Sequence, residues 1–171
     1  MSNYFTGEDE KLKWKCGEKK SLLKTVVFDV TSSLNTWTDG QKEVRGDYIV
    51  LDAPDWVIVI PELEDKVTGQ KDFYMVKQWR HGSKCLSVEF PGGVIDKGEE
   101  PEQAARRELL EETGYAGGEW QEIMTISANA STMNNLTHCF LAEGVEKVAE
   151  QNLEATEDIE VHIMTTEEVR S

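Results

Sequence analysis

Residues 93–115, GVIDKGEEPEQAARRELLEETGY, decide how the chain is read. Pro101 suits the first position of a helix and Gly114 the residue just past its end, so residues 100–113 are expected to be helical. Ala104, Ala105, Leu109 and Leu110 supply apolar positions between the charges. On that helix Glu108, Glu111 and Glu112 stand at i, i+3 and i+4, which places their carboxylates on one face. Like charges at this spacing repel, and the dipole disfavours anions in the last turn. A solvated acidic face is the plain reading of an arbitrary Glu-rich helix. Two local rules broken at one place instead mark a functional site. Bound cations offset both penalties, and hard carboxylate oxygens suit Mg²⁺ or Mn²⁺.

Outward from this helix the chain reads as short strands separated by turns. Residues 22–30 (LLKTVVFDV) are apolar and β-branched and predict one strand. Thr38-Asp39-Gly40 is a turn signal. Residues 48–51 and 56–60 flank a second turn at Ala53-Pro54-Asp55, and the break at residues 69–72 precedes a strand at 73–78. Strands resume at 120–126, 137–142 and 159–164. Residues 146–154 are too polar for a strand and fit a short helix or a loop. Thr165 with Glu168 forms a capping box, so a helix is expected to begin there. The pattern implies a single α/β domain over residues 1–171, built on a mixed or antiparallel sheet, with a β-rich segment at 1–45 and the functional core at 46–171.

The charge balance narrows the function. With 33 acidic and 18 basic residues the formal net charge is −15. A binder of long nucleic acid needs the opposite sign. A small anionic substrate fits only if a cation stands between it and the carboxylates, which again points to a divalent metal. No apolar run approaches the roughly 20 residues that span a bilayer, and residues 1–15 lack the apolar centre of a secretory signal. Cys16, Cys85 and Cys139 are widely spaced and read as reduced thiols, so a cytoplasmic protein is expected. His81, His138 and His162 are equally scattered.

The full spacing of residues 93–115 resembles the Nudix box: Gly93, five residues, Glu99, seven residues, Arg107-Glu108, Leu109, one residue, Glu111-Glu112, one residue, Gly114 and Tyr115. Every defined position is filled. The resemblance implies the Nudix fold, an α/β/α sandwich around a mixed sheet, and metal-dependent cleavage of a diphosphate linkage. It assigns Glu108 and Glu112 as principal metal ligands with the Gly92 carbonyl, Glu111 as a bridging ligand or the group that activates water, and Glu99 with Arg107 as the pair that ties loop to helix. Pro91, Gly92 and Gly93 let the backbone approach the ion.

Beyond the box, VKQWR at 76–80 and VEFPGG at 88–93 resemble the ADP-ribose pyrophosphatase and nucleotide-sugar hydrolase group. That resemblance implies a small nucleotide-derived substrate, with Arg80 on its diphosphate and Arg45 a second candidate for the same kind of contact. It further implies that Glu157, before the last strand, helps to activate water. Trp37, beside a polar turn, is a candidate stacking face, whereas Trp56 reads as core. A homodimer that exchanges its N-terminal sheet is also implied, and the apolar residues 22–30 suit either that role or packing on their own core. ADP-ribose hydrolases of the group carry Pro where this chain has Ala130, a departure that leaves other nucleotide sugars open. Nucleoside triphosphates and dinucleoside polyphosphates are the alternative substrates, and a non-catalytic nucleotide-sugar sensor is the alternative class. An isomerase that shares the fold finds no match here in its catalytic surroundings.

Overall fold

The computed structural model describes residues 7–64 and 67–170, which fall into two compact units. The first comprises the described residues through Ala53 together with Asn129–Asn135. Its sheet is antiparallel, in the order β1 (Lys20–Lys24), β2 (Asp29–Thr38) and β3 (Glu43–Asp52). The stretch at 22–30, expected to be one strand, is instead a hairpin corner. Thr25 Oγ1 accepts the N–H groups of Val27 and Phe28 at 3.2 and 3.0 Å. A hydroxyl that captures nearby backbone donors competes with strand pairing, and apolar composition alone does not reveal that competition. The turn at Thr38-Asp39-Gly40 forms as expected. Asp39 Oδ1 accepts from Gln41 and Lys42, and Gly40 takes φ +90°. Residues 129–135 join this unit through Leu51 N–H to the Thr132 carbonyl at 2.8 Å and Ala53 N–H to Asn134 Oδ1 at 3.1 Å.

The second unit, Pro54–Ala128 with Leu136–Ser171, carries the remaining elements. These are β4 (Trp56–Glu64), β5 (Lys71–Arg80), β6 (Cys85–Glu89), α1 (Pro101–Thr113), β7 (Tyr115–Ala116), β8 (Glu119–Ile126), β9 (Thr137–Glu143), β10 (Glu146–Lys147), β11 (Ile159–Thr165) and α2 (Thr166–Arg170). The main sheet runs β11-β5-β4-β9-β8, with β6 also on β5. β4 and β9 are parallel and the other pairs antiparallel, so the sheet is mixed. The helix at 101–113 falls where its cap signals put it. Residues 146–154 give a two-residue strand against β7 and then a loop. The box at Thr165 forms, with Thr165 N–H to Glu168 Oε2 at 2.8 Å and Glu168 N–H to Thr165 Oγ1 at 3.2 Å. Among the described residues no helix is long and apolar enough to cross a membrane.

The core lies between α1 and the sheet: Ala104, Ala105 and Leu109 meet Val57, Val59, Tyr74, Phe140, Ala142 and Val145. Two alanines let the helix approach closely, so its carboxylate face is held at a short distance from β4. Leu110, expected among the apolar positions, is partly exposed. β4 and β5 pair only through Glu62–Glu64 and Lys71–Phe73. Beyond that point β5 turns to β6, while β4 takes the 91–93 segment, with Val57 and Val59 N–H groups donating to the carbonyls of Gly93 and Pro91 at 2.9 and 2.8 Å. The parting of these strands opens a cleft beside the end of α1.

Candidate active site

The cleft holds about 540 Å³ and is walled by the start of β4, the end of β5, the 92–96 segment, the last two turns of α1 and the 152–157 loop. It brings together Arg80, Gly92, Arg107, Glu108, Glu111, Glu112 and Glu157. Glu99 reaches the site through Arg107. Arg45 and Trp37 are not among the lining residues and lie on the three-stranded sheet. Arg45 pairs with Glu43, and Trp37 Nε1 donates to the Lys11 carbonyl at 2.6 Å. Trp56, read from the sequence as core, is half-buried and lines the cleft, because it begins β4 in the stretch that does not pair with β5.

Arg107 organises the carboxylates. Its Nε and Nη2 grip Glu99 at 3.0 and 2.9 Å, Nη2 also donates to the Val94 carbonyl at 3.0 Å, and Nη1 donates to Glu108 at 2.8 Å and Glu111 at 3.2 Å. One planar guanidinium therefore joins the loop before the helix to the helix face, a geometry that suits its fixed fork of donors. The pairing holds the Glu99 carboxyl below its ordinary range. Glu112 is buried, and its Oε2 accepts the Gly92 N–H at 3.0 Å. Burial pushes its carboxyl up to about 7 despite that hydrogen bond, with the Glu108 and Glu157 charges adding to the rise. Burial likewise raises Glu108, against the opposing pull of Arg107.

The glycines before the helix are demanded by distance. A Cβ on Gly92 would stand 2.2 Å from the Val57 carbonyl oxygen, and one on Gly93 would stand 2.4 Å from Glu108 Oε1. The first obstacle is sheet backbone and the second a movable side chain. Gly92→Ala is thus expected to lose both thermal stability and activity. Gly93→Ala is expected to keep its melting temperature within a few degrees while losing activity through a displaced Glu108. Paired melts and rate measurements check this contrast, and equal destabilisation of the two variants would contradict it.

The neighbouring carbonyls of Pro91 and Gly93 are turned to β4. The Gly92 N–H between them points instead to Glu112 Oε2. Among the described residues, no three Asp, Glu, His or Cys side chains converge as a ready metal cage. Arg107 holds one oxygen each of Glu108 and Glu111, which an ion would share. The donor chemistry nonetheless suits a hard divalent cation: all oxygen, with a buried carboxylate whose charge lacks full compensation.

Arg80, on β5, is held by Glu89 of β6 through Nε at 2.9 Å and through Nη2. The bidentate grip uses one edge of the guanidinium. Sequence reasoning did not find Glu89 as the partner of Arg80, nor Gln78, Asp96, Asn152 and Glu154 in the cleft wall; strand pairing and the return of the chain bring them to these positions, and neither has a short-range signature.

Comparison with known proteins agrees with this architecture. A solved structure titled "Crystal structure of ADP compounds hydrolase" superposes with a TM-score of 0.75 over 92% of this chain and 81% of that one, at 19% identity, a likeness of fold. An ADP-ribose pyrophosphatase of Bacillus subtilis is 40% identical over 98 residues, 57% of this chain and 52% of that protein. An ADP-sugar pyrophosphatase of Mus musculus is 41% identical over 103 residues, 59% of this chain and 44% of that protein. The chain thus spans about half the length of these curated relatives. The NUDIX domain model matches residues 56–171, from the first residue of β4 onward and across the whole carboxylate helix. On that match, which covers most of the sequence, the chain belongs to the Nudix family.

Proposed function

We propose that this protein is a Nudix pyrophosphohydrolase that cleaves the diphosphate linkage of a nucleoside diphosphate derivative, a nucleotide sugar such as ADP-ribose. The observation that carries the reading is the single cleft in which the Glu108, Glu111 and Glu112 face meets Arg80 and Glu157. Glu108, Glu111 and Glu112, with the Gly92 carbonyl, would hold Mg²⁺, for which Mn²⁺ can substitute. Such an ion, when bound, neutralises phosphate oxygens and lowers the pKa of a coordinated water. The protein's own groups do the rest. Arg80 pairs with diphosphate oxygens through the guanidinium edge that Glu89 leaves open. Glu111 or Glu157 would take a proton from the attacking water. Arg107 and Glu99 keep the helix face and the 92–96 segment in register.

The ADP-ribose and ADP-sugar pyrophosphatase relatives favour that substrate class, while Ala130 in place of Pro leaves room for another sugar. Exposed Leu22, Leu23, Val26 and Val27 on the N-terminal hairpin support a homodimer. Free Cys16, Cys85 and Cys139 support a cytoplasmic setting.

The test is a product assay with Mg²⁺ over ADP-ribose, GDP-mannose, UDP-glucose and nucleoside triphosphates, ranked by kcat/KM. A nucleotide sugar is expected to rank first and to yield a nucleoside monophosphate. Chelation is expected to abolish turnover reversibly, with recovery on Mg²⁺ or Mn²⁺. Arg80→Ala is expected to lose more than about tenfold in kcat/KM on the best substrate, roughly 1.4 kcal/mol of transition-state stabilisation. Full activity after exhaustive chelation, or a triphosphate preference indifferent to Arg80→Ala, would overturn the proposal.

A further inference from the structure

The C-terminal end of α1 is closed by a loop. The last carbonyls of a helix have no partner within it. Here Leu110 O accepts Gly114 N–H at 2.8 Å, with Gly114 in the left-handed region at φ +75°. Glu111 O accepts Asn152 N–H at 2.9 Å. Glu112 O accepts Gln151 Nε2 at 2.6 Å. Val148 and Ala149 N–H groups both reach Gly114 O, at 2.9 and 3.1 Å. A Cβ on Gly114 would fall 2.1 Å from Ala149 O, so the loop and the helix end pack without a gap.

Gln151 does more than cap. The same Nε2 donates to the Ile159 carbonyl at 3.1 Å. Both partners are carbonyl oxygens, so only the amide nitrogen suits this position. One half-buried side chain therefore fastens three points: the helix residue Glu112, the start of the loop, and the loop's far end where β11 begins. Between these ends lie the residues that wall the cleft. Within that span Glu154 N–H donates to Glu157 Oε2 at 2.9 Å, and Glu157 N–H donates to Glu154 O at 3.0 Å. The loop is thus internally braced, and its base is pinned to the carboxylate helix through Gln151.

We infer that Gln151 is a positioning residue that sets where Glu157 stands relative to Glu111 and Glu112. The inference rests on the proposed hydrolytic role of the cleft and of Glu157. Gln151 touches no reacting group; it acts through the loop it closes. Its removal would let Glu157 wander while leaving the helix face and Arg80 in place. The effect belongs in kcat, because substrate contacts through Arg80 persist.

The experiment is a double-mutant cycle on the full chain with its best nucleotide-sugar substrate and saturating Mg²⁺. Gln151→Met keeps the volume and removes both donors. It is expected to lower kcat by about tenfold or more with KM changed less than about threefold. Glu157→Gln is expected to lower kcat further, and the double variant to be no worse than Glu157→Gln alone, because both changes disable one function. Gln151→Asn, which keeps the donors on a shorter stem, is expected to lie between the wild type and Gln151→Met, and it replaces Gln151→Met in the cycle if that variant lacks a cooperative melt. Additive losses, or a normal kcat in Gln151→Met, would overturn the inference while hydrolysis by the wild type left the proposed function standing. A wild type with no hydrolytic activity would remove both.

Discussion

Glu112→Gln is expected to abolish turnover and, in the same sample without divalent metal, to raise the melting temperature. The two outcomes have one cause. Glu112 is 4% exposed and its carboxyl is pushed up to about 7, chiefly by burial, so its ionised form is held at a cost in the absence of a cation. A folded-state pKa above the unfolded value means that the folded protein binds this proton more tightly. The stability tied to that proton is complete below about pH 4.5, declines as pH rises, and is gone above about pH 7. The rise above the ordinary carboxylate range corresponds to a penalty on the order of 3 kcal/mol at pH 8. Gln has the same shape, carries no charge, and keeps an oxygen to accept the Gly92 N–H. The chelated variant should therefore melt about 5 °C or more above the wild type at pH 8 and show little difference at pH 4.5. Added Mg²⁺ should stabilise the wild type and do much less for the variant. Activity should fall by at least about a hundredfold even with saturating substrate. A variant that retains ordinary Mg²⁺-dependent turnover would remove Glu112 from the site. An unchanged melt at pH 8 would show instead that its charge is compensated within the protein.

The same residue shows how far sequence reasoning reaches. The helix at 101–113, its stop at Gly114 and its shared carboxylate face follow from spacings of three and four residues, because helical periodicity is local. The Asp39 turn and the Thr165–Glu168 box are local for the same reason. The hairpin corner at Thr25 was missed because a single hydroxyl outweighs the apolar character of Val26 and Val27, which the turn leaves exposed. Trp56 was misread because strand membership says nothing of where a strand leaves its neighbour. The grip of Glu89 on Arg80 depends on the β5–β6 pairing of Arg80 with Cys85 and Val76 with Glu89. The closure of α1 by Gln151 and Asn152 joins residues about forty positions apart through one side chain and one backbone N–H. Such contacts follow from the packed chain and leave no mark in composition. Arg45 and Trp37 were proposed from resemblance and from a nearby turn, and each has a partner of its own away from the cleft lining, Glu43 for Arg45 and the Lys11 carbonyl for Trp37.

Arg107→Lys is expected to be nearly as damaging as Arg107→Ala, which separates the geometry of this cation from its charge. The guanidinium makes five hydrogen bonds at once, to both oxygens of Glu99, to Glu108, to Glu111 and to the Val94 carbonyl. An ammonium has three donors and no fork, so it cannot hold Glu99 bidentately while reaching the helix face. Arg107→Lys therefore loosens the 92–96 segment from α1, and Gly92 and Glu108 drift apart. Loss of at least about a hundredfold in kcat/KM is expected. Stability should fall by about 2–3 kcal/mol at pH 7, below the 3–5 kcal/mol of a fully buried broken pair because Arg107 keeps some solvent contact. The pH dependence has a definite sign. Arg107 lowers the Glu99 carboxyl, so the stability from that pair is present above the ordinary carboxylate range and is lost as pH falls through the depressed value. The gap between wild type and variant should thus narrow in acid, as it does for Glu112→Gln, but with the variant below the wild type rather than above it. Mg²⁺ should raise the variant's melting temperature more than the wild type's, since the ion can take the Glu108 and Glu111 oxygens that lose their guanidinium hydrogen bonds. It should not restore activity, because Glu99 and Val94 still lack their anchor. Melts from pH 4 to pH 8, with and without Mg²⁺, together with rates at pH 8, decide the matter. A lysine variant with wild-type turnover would show that charge alone suffices at this position and that the fork geometry is dispensable.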